Sequence, residues 1–199
     1  MKSILVKPIS DLADIRMGVT FRGRDATRPV PGGTCRMIRI SDVSDDGDLL
    51  ASSLLEFDPK EAVKPDHYLR PGDILFPNRG TRTTAHVFDL PDKNVVVGAQ
   101  FFVIRPESTD ILPEYLAWYL RTDVAAQHFQ LRRKGTLVQT IQRMDIGELE
   151  VPVPDLERQR IIVELADLGV QEREISVRLA ELRTTLLQRQ LLSAVHAIS

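Results

Sequence analysis

The sequence predicts an α+β domain with many short strands followed by one long helix, and three observations support this prediction. Short β-branched or aromatic runs bounded by turn residues alternate with two helical patterns between residues 1 and 154. Pro and Gly are frequent there, whereas residues 155–197 contain no Pro and only Gly169. This second part carries an apolar pattern typical of a coiled coil. We therefore divide the chain into a mixed domain, residues 1–154, and a coiled-coil-type helix, residues 155–199.

Five segments of the first part have the composition of short strands. Turn residues bound them, as in Arg70–Asp73 and Pro91–Asn94. The predicted strands are Met37–Ile40, Asp73–Phe76, Ala85–Phe88, Val95–Val97 and Phe101–Ile104.

Two helices are predicted after these strands. The first has apolar residues at i, i+3, i+4, i+7 and i+8, namely Leu112, Tyr115, Leu116, Tyr119 and Leu120. Pro113 fits its first turn, where a missing N–H costs nothing. Thr122 can cap a second helix over Asp123–Leu131, which Gly135 would end.

The long helix carries an apolar seam spaced by alternating steps of four and three, with Glu172 at one of its positions. Its members are Ile161, Leu165, Leu168, Ile175, Leu179, Leu182 and Leu186. Asp155 can cap the helix after Pro154, and about 40 residues at 1.5 Å each give a rod of roughly 60 Å. We expect such a rod to dimerise or dock partners; the alternative is a helix folded back on its own domain.

The composition argues against several classes of protein. No apolar run approaches the roughly 20 residues of a membrane span, so we expect a cytoplasmic protein. Cys35 is the single cysteine, the four histidines lack ligand spacing, and no phosphate-binding glycine loop occurs, so we expect no metal, no cofactor and no catalytic site. A stand-alone nuclease with an unrecognised site stays open as an alternative, although Pro65-Asp66 and Pro91-Asp92 lack an acidic-x-Lys partner on a strand.

The net charge of −2, from 26 basic and 28 acidic residues, argues against general affinity for nucleic acid. Basic side chains are instead concentrated in three segments that could touch DNA. In the first, Gly18–Arg24, glycines allow close backbone approach, and Arg22 and Arg24 could contact phosphate or guanine. A solvated loop would have the same composition.

The second segment, Phe76–Thr84, follows a predicted strand and contains no acidic residue. Asn can pair with adenine, Arg with guanine, and Thr with bases or phosphates, so this loop is the predicted base reader. The residues assigned to that role are Asn78, Arg79, Thr81, Arg82 and Thr83. The alternative is a polar hairpin turn.

The third segment, Leu131–Arg143, places four cations and no acid across a helix end and a Gly-Thr turn. Arg132, Arg133 and Lys134 suit phosphate positioning. Additional base or backbone contacts are predicted for Thr136, Gln139 and Thr140. A basic helix C-terminus also simply complements the helix dipole.

The order of these segments resembles that of specificity subunits of type I restriction-modification systems. The matching stretches are Leu12–Ile15 with Gly18 and Phe21, Leu69–Phe76 before Arg79-Gly80, Phe101–Pro106, Leu112–Leu120, and Ile146–Val153 leading into Pro154–Ile161. The family typically has Pro where Asp155 stands and Glu where Arg158 stands.

This resemblance implies a target-recognition domain that reads one half of a split site on double-stranded DNA, and a helix that sets the spacing and docks methyltransferase subunits. The chemistry would belong to those modification subunits and to a restriction subunit. Family members usually carry two such domains and two helices, and no internal repeat is found here. We therefore expect a half-length specificity subunit that forms a homodimer; a split-gene remnant needing a different second half stays open.

Overall fold

The computed structural model describes residues 4–22, 27–44, 47–50, 54–80, 83–135 and 139–196, with only the backbone for 195 and 196. The chain forms two compact units, Met1–Arg160 and Ile161–Ser199. In chain order the strands and helices are β1 (Leu5–Pro8), β2 (Ala13–Met17), β3 (Cys35–Ile38), β4 (Leu55–Phe57), β5 (Ile74–Pro77), β6 (His86–Val87), β7 (Val95–Val97), β8 (Phe101–Pro106), α1 (Pro113–Leu120), α2 (Asp123–Arg132), α3 (Arg143–Gly147), β9 (Glu150–Val153) and α4 (Leu156–His196). Among the described residues, no helix is long and apolar enough to cross a membrane.

Within the described residues, the strands form three small sheets. The largest has the order β2-β8-β5-β6, and all its neighbouring strands are antiparallel. In the second sheet, of order β4-β3-β7, β3 is antiparallel to β4 and parallel to β7. The third pairs β1 with β9 and so joins the beginning of the domain to the segment that precedes α4. The predicted α+β fold class is confirmed.

One apolar core is shared by the two larger sheets. Leu75 of β5 and Val103 of β8 pack in the same cluster as Ile38 of β3 and Val97 of β7. On α2, Phe129 is fully buried and its ring lies 5.1 Å from that of Phe76. The core therefore holds the ends of β5 and β7 in fixed relative positions, and β2 is held by its pairing with β8. The first and second candidate binding loops start from the ends of β2 and β5.

A buried ion cluster also ties the largest sheet together. The carboxylate of Asp73 is inaccessible to solvent and accepts two 2.6 Å bonds from the guanidinium of Arg105, and Arg16 adds a 3.4 Å contact. The backbone N–H of Arg70 donates to the same carboxylate. Burial, and then the neighbouring charge of Arg105, lower the pKa of Arg16, whereas the hydrogen bond to Asp73 raises the pKa of Arg105. These groups depend on one another because each is largely removed from water.

Helix α4 begins with two polar anchors. Asp155 caps it as predicted, since its carboxylate accepts a 2.9 Å bond from the N–H of Arg158. Gln159 is fully buried: its amide nitrogen donates to the carbonyls of Asp110 and Pro154, and its carbonyl oxygen accepts from the N–H of Leu112. The side chain of Gln159 therefore fixes the first turn of α4 to the segment that leads into α1.

The predicted seam of α4 lies uncovered in this chain. Its seven side chains, Ile161, Leu165, Leu168, Ile175, Leu179, Leu182 and Leu186, are between 45% and 68% exposed. Apolar side chains repeating over that length of helix are typical of a surface that a partner covers.

Several elements differ from the sequence predictions, for local reasons. The predicted strand Met37–Ile40 instead runs from Cys35 to Ile38. It ends there because Ile40–Asp42 form a 3₁₀ helix, in which the carboxylate of Asp42 accepts hydrogen bonds from the backbone N–H and the guanidinium of Arg39. Helix α2 runs one residue past the predicted Leu131, to Arg132, and Lys134 then pairs with Thr140 before Gly135 is reached. The elements with no predicted counterpart are β1, β2, β4, β9 and α3.

Candidate nucleic-acid interface

The first and second predicted basic segments meet at one short turn, Gly98–Gln100, which connects β7 to β8, and the third segment pairs with the second. The first segment reaches it where Gly18 and Val19 donate backbone bonds to Phe101 and Val97. A Cβ on Gly18 would lie 2.3 Å from the carbonyl oxygen of Gly98, so only glycine allows this approach. The close backbone approach predicted for glycines of this segment is made, at Gly18, to the backbone of Gly98.

The second segment leaves β5 on the other side of the same turn. Its first residue, Asn78, donates its backbone N–H to the carbonyl of Gln100 at 2.9 Å. The side-chain amide of Asn78 donates to the carbonyl of Ala99 at 2.7 Å. Both bonds fix the start of the loop to the turn.

The third segment pairs with the second. Gly80 donates its N–H to the carbonyl of Gln139 at 2.9 Å, and Ile141 donates to the carbonyl of Asn78 at 3.0 Å. Thr140 forms bridges with both Arg79 and Lys134. Segments about 60 residues apart in sequence are thus held side by side, and we call the assembly of Gly18–Arg22, Asn78–Gly80, Gly98–Gln100, Lys134 and Gln139–Thr140 the loop cluster.

The structure argues against the base-reading role predicted for Asn78. This residue is only 6% exposed, and its amide nitrogen is already donated to a carbonyl. A base edge in the major groove could not reach a side chain buried at the root of the loop. The amide of Asn78 therefore holds the start of the loop, and the next residue, Arg79, is exposed.

The three predicted phosphate contacts of the third segment have different surroundings. Arg132 contacts the carboxylate of Glu148 at 3.6 Å and donates to the carbonyl of His128 at 3.4 Å. Arg133 is half-buried, and burial lowers the pKa of its guanidinium. Lys134 is exposed, and its ammonium group has no partner among the described residues. Of the three, Lys134 is the best placed to neutralise a phosphate.

The polar side chains of the second and third segments also differ in their exposure. Gln139 is exposed, whereas Thr83 and Thr140 are half-buried and the hydroxyl of Thr140 donates to the carbonyl of Lys134 at 3.4 Å. Arg22 is exposed on the first segment. The predicted contacts Arg24, Thr81, Arg82 and Thr136 lie outside the described residues.

Sequence reasoning missed one exposed polar residue at the centre of the loop cluster. Gln100 is exposed at the tip of the turn on which the first and second segments converge. An amide side chain there can donate and accept together, which is what bidentate pairing with adenine requires. The available signal was a Gly-Ala-Gln connection between two strand-like runs.

The exposed groups of the loop cluster are suited to recognising DNA by hydrogen bonds and charge. Arg22, Arg79 and Lys134 supply cations, and Gln100 and Gln139 supply amides. No group of three or more metal-ligating side chains occurs among the residues that the structure describes.

The family model for the type I restriction modification DNA specificity domain matches residues 1–167. The chain belongs to this family. It is 26% identical over 165 residues to the StySPI specificity subunit of Salmonella potsdam, and 24% identical over 168 residues to the EcoKI specificity subunit of Escherichia coli. A third relative, the HindI specificity subunit of Haemophilus influenzae, is 30% identical over 101 residues.

The alignment with the StySPI subunit covers 80% of this chain and 35% of that subunit, and the alignment with the EcoKI subunit covers 82% and 35%. The alignment with the HindI subunit covers 49% of this specificity-domain chain and 22% of that subunit. The chain therefore spans about a third or less of the length of the curated relatives that it matches. The sequence-level resemblance is confirmed at the level of the family.

Two solved structures share the fold. A chain from a structure titled as the basis of complex assembly and conformational transition of the type I R-M system matches with a TM-score of 0.64 at 20% identity. That match covers 96% of this chain and 44% of the other. The HsdS subunit of Thermoanaerobacter tengcongensis matches with a TM-score of 0.62 at 21% identity, over 84% of this chain and 37% of that one.

Proposed function

We propose that residues 1–154 form a target-recognition domain that binds double-stranded DNA and reads one half of a split site. The observation that carries this proposal is the assembly of three sequence-distant polar segments: the first and second contact the Gly98–Gln100 turn, and the third pairs with the second. Base readout needs several donors and acceptors held at fixed positions against one groove. The strands and the apolar core hold the ends of these loops in place, as such readout requires.

Within the loop cluster, base contact and phosphate contact are assigned to different residues. Arg79, Gln100 and Gln139 present guanidinium or amide groups that can pair with base edges. Lys134 and Arg22 present exposed cations that can neutralise phosphates. Four further residues shape the loop cluster or flank it, because they are half-buried or already make contacts within the protein: Arg132, Arg133, Thr83 and Thr140.

The proposed specificity subunit is not itself an enzyme and needs no cofactor. It would direct methyltransferase subunits, and a restriction subunit, to the site that it binds. This division of labour rests on membership of the family and on the relatives' description as specificity subunits of restriction enzymes. The nuclease alternative gains no support from the family match.

The assignment of roles predicts two distinct phenotypes. Arg79→Ala should cost roughly 1–3 kcal/mol of binding free energy on the target duplex and relax the preference at one base pair. Lys134→Ala should weaken binding to target and random duplexes alike and lower the slope of log K against log salt by about 1. Fluorescence anisotropy at several salt concentrations measures both quantities.

The matched control for these variants is Arg121→Ala, because Arg121 is exposed outside the loop cluster. It should leave both the preference and the slope unchanged. Identical behaviour of the Arg79 and Lys134 variants on target and random duplexes would contradict the division of roles.

We further propose that the exposed seam of α4 pairs with the α4 seam of a second copy. The same apolar surface on both copies would be self-complementary about a two-fold axis, and antiparallel pairing would present two recognition domains. Each domain would then read the same half-site on opposite strands, so the target would be an interrupted palindrome. The uncovered side chains at 45–68% exposure support a partner on this surface.

Light scattering on the purified chain should give a particle of twice the 22.4 kDa chain mass at micromolar concentration. Leu168→Glu with Leu182→Glu should shift it to one chain mass, because charges in the seam cannot be buried without partners. Val177→Glu, an equally drastic change at an exposed position off the seam, should leave the dimer intact. A wild-type monomer, or a methylation motif with two different halves, would favour pairing with a different second chain.

A further inference from the structure

A basic cleft lies beside the loop cluster, between the first segment and the turn that follows β4. Its volume is about 410 Å³. The walls contain three cations, Arg22, Lys60 and Lys64, and one carboxylate, Glu61. Neither Lys60 nor Lys64 belongs to the three basic segments that the sequence indicates.

The three cations of the cleft are available to a ligand. Arg22, Lys60 and Lys64 are all exposed, and none has a hydrogen-bond or ion-pair partner among the described residues. The two carboxylates that precede Lys60 in the sequence bond to other groups. Glu56 accepts a 2.8 Å bond from the N–H of Gly32, and Asp58 accepts from the N–H and hydroxyl of Thr34. Glu56 and Asp58 therefore do not neutralise the cleft through these contacts.

Both walls of the cleft are anchored on the same small core. Phe21 packs edge-on against Phe57 with ring centroids 5.0 Å apart, and Val63 packs against the same buried cluster. Phe21 stands next to Arg22, and Val63 next to Lys64. The packing thus fixes the backbone that carries the charges, while the long side chains stay free to follow a ligand.

The cleft is continuous with the loop cluster. Val19 and Thr20 line the cleft, and Val19 also pairs with Gly98 of the central turn. A duplex whose bases meet Gln100 and Arg79 would carry its phosphate backbone past this edge. Because the chain as a whole has a net charge of −2, DNA must approach it through a local positive face such as this one.

We propose that Arg22, Lys60 and Lys64 bind the phosphodiester backbone of the DNA whose bases meet the loop cluster. The inference rests on the proposed DNA-binding function and adds a second contact region to it. Exposed ammonium groups act as point charges on phosphates, so the contribution would be independent of sequence and sensitive to salt. It would add affinity to target and random duplexes equally and leave the preference between them unchanged.

The test is the salt dependence of DNA binding by the double variant Lys60→Gln/Lys64→Gln, measured with the full chain on target and random duplexes. Losing two phosphate contacts should lower the slope of log K against log salt by about 2 and weaken binding roughly 10- to 100-fold near 0.1 M salt. The ratio of target to random affinity should stay at the wild-type value. Lys93→Gln, an exposed lysine outside the cleft, is the matched control and should change neither quantity.

Neutral methylphosphonate linkages in the target duplex locate the contact. Substitution at the phosphates that the cleft binds should weaken the wild-type protein and have no further effect on the double variant. Unchanged Trp118 fluorescence and an unchanged denaturation midpoint would show that the variant keeps its fold.

Three results would overturn the inference. First, the double variant could show the same slope of log K against log salt as Lys93→Gln while the wild type still prefers its target. That result would show that the cleft does not bind DNA and would leave the proposed function standing. Unchanged DNA binding with lost methyltransferase association would assign the cleft to an acidic protein surface instead. A wild-type protein and methyltransferase complex without any sequence preference would overturn the proposed function together with this inference.

Discussion

Replacing Asp73 by Asn should lower the free energy of unfolding of the recognition domain by about 3–5 kcal/mol. The carboxylate is inaccessible to solvent and is bonded twice by Arg105 at 2.6 Å, with Arg16 at 3.4 Å. Asn is nearly isosteric but neutral, so Arg105, 15% exposed, would lose its counter-charge, and Arg16, 16% exposed, would keep only its 3.9 Å contact with Asp14. Leaving a buried charge without its partner costs far more than a surface ion pair contributes.

Urea denaturation followed by fluorescence measures this loss, because Trp118 is the single tryptophan and lies on α1 within the recognition domain. The melting temperature should fall by about 10 °C. Asp66→Asn is the matched control: its carboxylate is 88% exposed and lies 4.0 Å from Arg70, so we expect a change under 1 kcal/mol. Equal midpoints for the two variants would contradict the buried ion cluster.

Replacing Gln159 by Met should destabilise the junction between the recognition domain and α4 by about 3 kcal/mol or more. Met has a similar length but cannot replace the three hydrogen bonds that Gln159 makes to Asp110, Leu112 and Pro154. Each buried group left without a partner costs roughly 1–3 kcal/mol. Amide hydrogen exchange at Leu112 should accelerate, since its N–H would lose its acceptor.

Gln171→Met is the control for this prediction, because Gln171 is exposed on the same helix. It should leave stability and exchange at Leu112 unchanged. A Gln159→Met protein with wild-type exchange at Leu112 would show that the side chain does not hold the junction. If the junction sets the spacing of the DNA half-sites, the same variant should also weaken discrimination between correctly and incorrectly spaced sites.

The long helix and its cap could be predicted because their signals are local. The absence of Pro, the steps of four and three, and Asp155 after Pro154 are all properties of adjacent turns, and the structure confirms the helix over Leu156–His196. The same holds for α1, where the apolar spacing and Pro113 act within two turns. The family could also be identified from ordered local motifs.

Strand pairing could not be predicted in the same way. Strand β1 pairs with β9, with Leu5 opposite Val153, and neither segment has an alternating pattern strong enough to reveal its partner. Short strands such as β4 gain their stability from neighbours rather than from composition. Their positions therefore depend on contacts that only the folded chain supplies.

The candidate site shows the same limit residue by residue. Composition alone indicated which segments are polar and basic, and Arg79 and Lys134 of those segments are exposed in the structure. It could not indicate that Asn78 is buried against Ala99, or that Gln100 stands at the tip of the turn between the segments. The charge of Lys60 and Lys64 was visible in the sequence, but the cleft they share with Arg22 was not.

By itself, the sequence determined the family, the α+β class, the long helix with its apolar seam and the three basic segments. These features depend on periodicity, capping and motif order, which involve residues close together in the sequence. Only the tertiary structure decided which side chains of those segments face outward and which segments meet. The physical reason is that burial and pairing are set by contacts between residues far apart in sequence. The bonds from Gly18 to Phe101 and from Gly80 to Gln139 are such contacts, and they assemble separate loops into one surface.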